Sequence, residues 1–312
     1  MTKLLPRGES SSTSGEPYLT SIKVIAEPVH YSTAEELLEA LNRRDPRWQP
    51  LPTQWVFRGI GDLSYELIPS AYRPHAFRRF PHLGILETFD PLEDGAWSRI
   101  TDAETQLLNE FVLKIDSAGL QIPHEPDVIW TDKSRFGSEP ELGLWPAWAL
   151  ARHHGLPTSL LDWSKKPFVA CYFATIDAAM NDRGGKLGIW ALQEPRVDRN
   201  YLRPAIGNVR FYHPPSCTNP NLHAQAGLLT TLPLDKAMPL DKFIEQFVEQ
   251  HWDKLRPRPN VTFPLMMLLT LPQSESGRLL RMLAEEGYDG ASMFPGYSGM
   301  VKCLEEKASY RP

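Results

Sequence analysis

The sequence predicts an α+β protein with a mixed, mainly antiparallel core sheet flanked by helices. Three features carry that expectation. Helical and strand periodicities follow one another without the strict alternation of a βαβ chain. The run WALARHHGLPTSLLDWSKKPFVACYFA (148–174) links a helix, a tight turn, a short strand and a second helix. The 29 prolines among 312 residues call for long Pro-rich insertions between elements.

In chain order, the Ser/Gly-rich residues 1–20 read as a disordered tail and 21–53 as a helical lead-in. Ser32-Thr33-Ala34-Glu35 forms a capping box before Leu37, Leu38 and Leu41, which predicts a helix to about Arg44. Gln54 to Arg58 is aromatic and β-branched and stops at Gly59, so it reads as a core strand with Arg58 at its rim. Leu63 to Arg73 runs into a Pro-Ser turn from which Ser70 and Arg73 return towards Arg58. Phe80 to Arg99 reads as an insertion. Thr101-Asp102-Ala103-Glu104 is a second capping box, opening an amphipathic helix through Leu107, Leu108, Phe111, Val112 and Ile115 to Gly119. Residues 121–142 lack periodicity.

Leu142 to His154 has helical spacing and closes at Gly155; Thr158 to Leu161 reads as a short buried strand, and Lys165 to Met180 as a core helix that Asp162 and Ser164 can cap. A turn at 182–185 precedes a buried strand, Leu187 to Gln193. Beyond the Pro-rich stretch 195–220, Asn221 to Leu232 reads as a strand, Leu240 to Leu255 as a helix, and Val261 to Leu271 as a strand confined by Pro264 to an edge or bulge. Gly277 to Glu286 is a helix closed by Gly287. The last segment returns a short apolar run and a final helical turn, so 232–312 forms a C-terminal extension on the same core.

The formal net charge of −5 does not indicate nucleic acid as a partner, because phosphate binding needs a concentrated basic surface. The Arg-rich run from Arg73 to Arg79 reads as a solvated loop face. Three widely spaced cysteines, Cys171, Cys217 and Cys303, support neither a disulfide framework nor a zinc knuckle and point to a reducing, cytoplasmic setting. No stretch approaches the roughly 20 apolar residues of a membrane span, and the start has no signal-peptide core. Phosphate-loop, dinucleotide and zinc-protease motifs are absent from the sequence.

Adjacent helical side chains diverge by about 100°, so His153 and His154 make poor ligands for one metal; one of them can point inward. Asp162 has two readings: a helix cap, or the buried partner of Arg58. Arg58 suits a bidentate grip on a phosphate or carboxylate, or pairing with Asp62 or Asp162. The expected cleft lies where Arg58, Arg73, His153, Thr158, Asp162 and Gln225 approach one another.

FRG at Phe57 to Gly59, IPSAYR at Ile68 to Arg73 and HHGLPTSLLDWSKKPFVACYFA at His153 to Ala174 together resemble the FRG domain family. Its pattern has an aromatic-Arg-Gly start, a P-S-x-x-R turn and an H-x-G-x-P-T-R-L-L-D-W-T core. The chain departs from it at Ser159, where the family often has Arg, at Arg152, where Gln is common, and at Asn221, where a third motif would place Arg. Gln225 and Gly227 fit that third motif. The similarity spans 54–231, with a weaker match at Phe294-Pro295.

The layout is also similar to that of mono-ADP-ribosyltransferases. That resemblance implies NAD as substrate, Arg58 and Arg73 on the anionic side, Thr158 and Ser159 bracing the nicotinamide side, and Gln225 opening the third motif. Gly227 stands where the catalytic glutamate would be, leaving Asp162, or Glu285 or Glu286, to supply the charge; Asp162 and His153 are the candidate catalytic residues. The alternatives are a non-catalytic module that recognises a small nucleotide-like ligand or a protein target, and a nuclease or hydrolase using His153 and Asp162.

Overall fold

The computed structural model describes residues 23–48, 53–85, 90, 93, 95–121, 145–181, 183–195, 209–214, 219–232, 238–255 and 264–310. The expected tail at 1–20, the aperiodic stretch 122–142 and Cys217 lie outside them.

Among the described residues, seven strands form one sheet in the order β1-β7-β4-β2-β3-β6-β5. They are β1 (Val29–His30), β2 (Thr53–Ile60), β3 (Leu160–Ser164), β4 (Lys186–Pro195), β5 (Arg210–Tyr212), β6 (Gly227–Thr231) and β7 (Met266–Pro272). β1 runs parallel to β7 and every other pair is antiparallel, so the sheet is mixed and mainly antiparallel, as expected.

The period-two alternation of side chains sorts each strand between two layers. Trp55 and Phe57 of β2, Ile189 and Ala191 of β4, and Leu269 and Leu271 of β7 join one apolar cluster. It includes helices α1 (Ala34–Ala40), α4 (Pro167–Met180) and α7 (Ser276–Glu285). Val56, Leu192 and Met266 join the opposite cluster, with Leu161, Trp163 and helix α6 (Leu240–Leu255). Leu160 and Leu229 pack with helices α2 (Ala96–Ser117) and α3 (Trp145–His153) at the far end of the sheet.

Gly59 explains why α4 lies so close to β2. A Cβ there would sit 1.9 Å from the Ala170 backbone oxygen and 2.8 Å from the Ala174 nitrogen. The glycine therefore does not end the strand, which continues to Ile60 and leaves Arg58 within it rather than at its rim.

Other boundaries shift for identifiable reasons. α1 stops at Ala40, short of Arg44, and its capping box is Thr33 with Glu36. α2 starts at Ala96, so Thr101 and Glu104 lie inside a helix; the Thr101 hydroxyl donates to the Trp97 carbonyl. β3 begins at Leu160, not Thr158. Asn221 to Leu232 divides into helix α5 (Pro220–Ala224), capped by Asn219, and β6. β7 starts beyond Pro264 and lies inside the sheet, so that proline imposes neither an edge nor a bulge.

Two short C-terminal helices, α8 (Gly290–Met293) and α9 (Tyr297–Glu306), are tied to α4 through buried Glu306. Its carboxylate accepts from the Gly290 amide at 2.9 Å and from the Tyr172 hydroxyl.

Candidate functional site

β2 and β3 share one register pair, Phe57 with Ser164. Beyond it the Arg58 side chain reaches across, and Nη1 donates to the Asp162 backbone oxygen at 2.8 Å. A guanidinium thus stands where a ladder bond would otherwise satisfy that carbonyl. The Arg58 side chain is 14% exposed, and its Nη1 lies 3.7 Å from Asp162 Oδ2. Its Nε is buried and has no hydrogen-bond partner among the described residues.

The last turn of α3 supplies Arg152, and Gly155, at φ 81°, closes the helix. Arg152 donates from Nε and Nη2 to Asp162 Oδ2, at 3.0 and 2.6 Å, and from Nη1 to Ser70 Oγ at 2.6 Å. Asp162 is therefore a strand residue paired with arginine, and its reading as a cap of α4 is overturned. Ser164 makes the local turn instead, accepting from the Lys166 amide while donating to the Gln225 carbonyl.

The turn at Ser70–Tyr72 is stitched to the segment before β3. Ser70 Oγ accepts from the Thr158 amide at 3.0 Å and donates to the Thr158 carbonyl at 3.2 Å, and the Ala71 amide donates to the same carbonyl. Arg73 follows, its Nε donating to the Ile68 carbonyl. Arg79, at the end of the Arg-rich run, donates to the Gly155 carbonyl at 2.6 Å, so two arginines of a run expected to be solvated have built-in partners.

Charge follows from this geometry. Burial lowers the Arg58 pKa, Asp162 opposes that, and Arg152 and Arg73 add repulsion; the result is about 10, still protonated at neutral pH. Arg73 is lowered by burial and by Arg152. At Asp162, burial acts to raise the pKa, but Arg152 and then Arg58 outweigh it, and the carboxyl is held below the usual range. Half of the Asp162 side chain remains open to solvent, although protein encloses its other side. Arg152, favoured by Asp162 despite burial, is raised. Arg152 and Arg58 thus flank one carboxylate, with Arg73 near enough to repel Arg58.

A cavity of about 690 Å³ opens beside this cluster, lined by Arg58, Arg73, Tyr65, Tyr72, Phe173 and Asp177 among others. Its volume suits a small organic ligand.

The remaining expected residues are placed differently. His153 is exposed, its Nε2 is 3.1 Å from the Asn221 amide nitrogen, and burial together with His154 lowers its pKa. Thr158 is buried, and its hydroxyl has no hydrogen-bond partner among the described residues. Ser159 turns into the core, where its amide donates to Glu104 at 2.7 Å. The Gln225 side chain donates to the Met293 carbonyl, away from the guanidiniums. A Cβ at Gly227 would meet Leu222 at 2.7 Å. Glu285 pairs with Arg281. Among the described residues, no group of His, Cys, Asp and Glu could hold a metal ion, and no helix is long and apolar enough to cross a membrane.

Sequence reasoning missed Arg152, Glu104 and Asp177. Glu104 had a signal: it sits three, four and seven residues before Leu107, Leu108 and Phe111, on the apolar face of its helix. Buried there, its Oε1 accepts from the Trp148 indole at 2.5 Å as well as from Ser159. Burial outweighs these bonds and raises its pKa to about 8.

No curated protein and no solved structure matches the chain. The FRG domain family profile matches residues 53–183, from the first residue of β2 to just beyond α4. Arg58, Arg73, Arg152 and Asp162 all fall within that span, whereas Gln225 lies outside it. This chain therefore carries an FRG domain, and the guanidinium cluster is built from it.

Proposed function

We propose that the cavity beside β2 binds a small, nucleotide-like anion, and that this chain recognises its ligand without transferring a group from it. The observation that carries this is Arg58: a buried, protonated guanidinium lining the 690 Å³ cavity, with a buried Nε that no described residue satisfies. A guanidinium on a cavity wall offers several N–H donors in a planar fork that matches a phosphate or carboxylate. Support also comes from the mutual repulsion of the guanidiniums, since Arg152 and Arg73 both lower the Arg58 pKa. A phosphate or pyrophosphate group relieves that repulsion, and guanidinium groups match its geometry.

Transferase chemistry is less well supported. An oxocarbenium-like ribose needs a carboxylate at the third motif, where Gly227 is crowded by Leu222 and Gln225 is bonded to Met293. Asp162 is held by Arg152 with a lowered pKa, which suits organising guanidiniums better than accepting a proton.

The test is thermal stabilisation of the full chain by pyrophosphate and by NAD, compared with Arg58→Lys and Arg73→Ala. Stabilisation of the wild type that falls in both variants is expected. No shift with either probe would remove the proposal, and label transfer from NAD to proteins of a cell extract would overturn its non-catalytic part.

A further inference from the structure

The same cavity has a second polar end. Gly61, just past β2, lies under α4 so closely that a Cβ on it would be 2.2 Å from Asp177 Oδ2. The missing side chain lets Asp177 reach the cavity wall, which it lines together with Gly61. Its other oxygen, Oδ1, accepts from Asn181 Nδ2 at 3.0 Å, and the Asn181 amide donates to the Asp177 carbonyl. The carboxylate is thus fixed in orientation, while Oδ2 accepts no hydrogen bond among the described residues.

Arg58 and Asp177 line one cavity, so an anion-binding group and an acceptor face the same space. The Phe173 and Tyr65 rings line the same cavity. A free carboxylate oxygen is an acceptor only, so its neutral partner must be a donor, and paired sugar hydroxyls are donors that carboxylates take in nucleotide sites.

Resting on the anion-binding reading above, we propose that the ligand is a phosphorylated sugar or nucleotide with a free vicinal diol, and that Asp177 Oδ2 receives that diol while Arg58 and Arg73 hold the phosphate. Gly61 is the residue that makes room for the contact. Asp177 is then the specificity-determining group, and the arginines supply affinity common to all phosphates.

Calorimetric titration of the full chain with ADP, 2′,3′-dideoxy-ADP and inorganic pyrophosphate tests this. Wild-type protein is expected to bind ADP on the order of tenfold or more tighter than the dideoxy compound, the loss of a hydrogen bond to a charged group. Asp177→Asn is expected to bring the two nucleotides close together without weakening dideoxy-ADP, since a negative charge is removed from the cavity, and Arg73→Ala to weaken all three probes. Equal wild-type affinity for ADP and dideoxy-ADP would overturn the diol assignment and leave anion binding standing. Failure of all three probes to bind would remove both.

Discussion

Arg152 places two nitrogens on one oxygen of Asp162, at 3.0 and 2.6 Å, and this joins the end of α3 to the middle of β3. The pairing turns a strand carboxylate into the hub that holds Arg152 and Arg58 together, with Ser70 bracing Arg152 from the turn after β2.

Removing either partner unbalances the hub. Arg152→Ala is expected to destabilise the fold by about 1–3 kcal/mol, below the figure for a fully buried pair because half of Asp162 is open to screening solvent. Asp162→Asn removes the carboxylate that pairs with Arg152 and Arg58, so pyrophosphate should stabilise that variant more than the wild type. Urea unfolding and melts with and without pyrophosphate check both.

Asp162 also sets an acid limit. Its folded pKa is depressed below its ordinary value of 3.8, so its stabilising contribution is present above that pH. The contribution is lost as pH falls through the folded value. Acid unfolding of Asp162→Asn should be correspondingly less steep below pH 4.

Glu104 has the opposite sign. Its pKa rises from an ordinary 4.5 to about 8, so between those values the folded chain holds a proton that the unfolded chain has released. Its contribution to stability therefore declines as pH rises through that window and levels off above it. Glu104→Gln keeps an acceptor for Trp148 and Ser159 without the titration, and its unfolding midpoint should vary less between pH 5 and 8.5.

Ser70 is small but serves Thr158 and Arg152 at once. Ser70→Ala leaves the Thr158 amide and an Arg152 N–H without that acceptor, a loss of about 1–3 kcal/mol in urea titrations. Pyrophosphate affinity should fall as well, because Arg152 loses its brace.

Gly59→Ala tests close packing. The new methyl group would collide with the Ala170 carbonyl and Ala174, which are backbone and Cβ atoms of a helix and cannot rotate aside. Overpacking of this kind costs about 1–3 kcal/mol, or more where the obstacle is backbone. A lowered melting temperature, unrelieved by pyrophosphate, is the expected result.

Local pattern was enough for the elements whose information lies in neighbouring residues. The Gly155 and Gly287 helix ends, α6, α7 and the buried strand β4 follow from periodicity and capping, as does the α+β class. Arg58, Asp162 and Arg73 could be named because arginine and aspartate are conspicuous in apolar runs and at turns. Their partnership with Arg152 could not, because it depends on the point at which β3 diverges from β2 and on the rotation of the last turn of α3.

Chain chemistry alone determined the longer helices and the buried strands β2 and β4, and which polar groups needed an explanation. Tertiary structure alone decided that Ser159 and Gln225 turn to the core and to Met293, that Glu104 accepts from Trp148 and Ser159, and that Asp177 reaches the cavity through the gap at Gly61. The physical reason is range: propensity and capping act over about four residues, whereas each of these contacts except the Gly61 gap is a hydrogen bond or burial set by elements tens of residues apart, and the gap itself by the docking of α4 on β2.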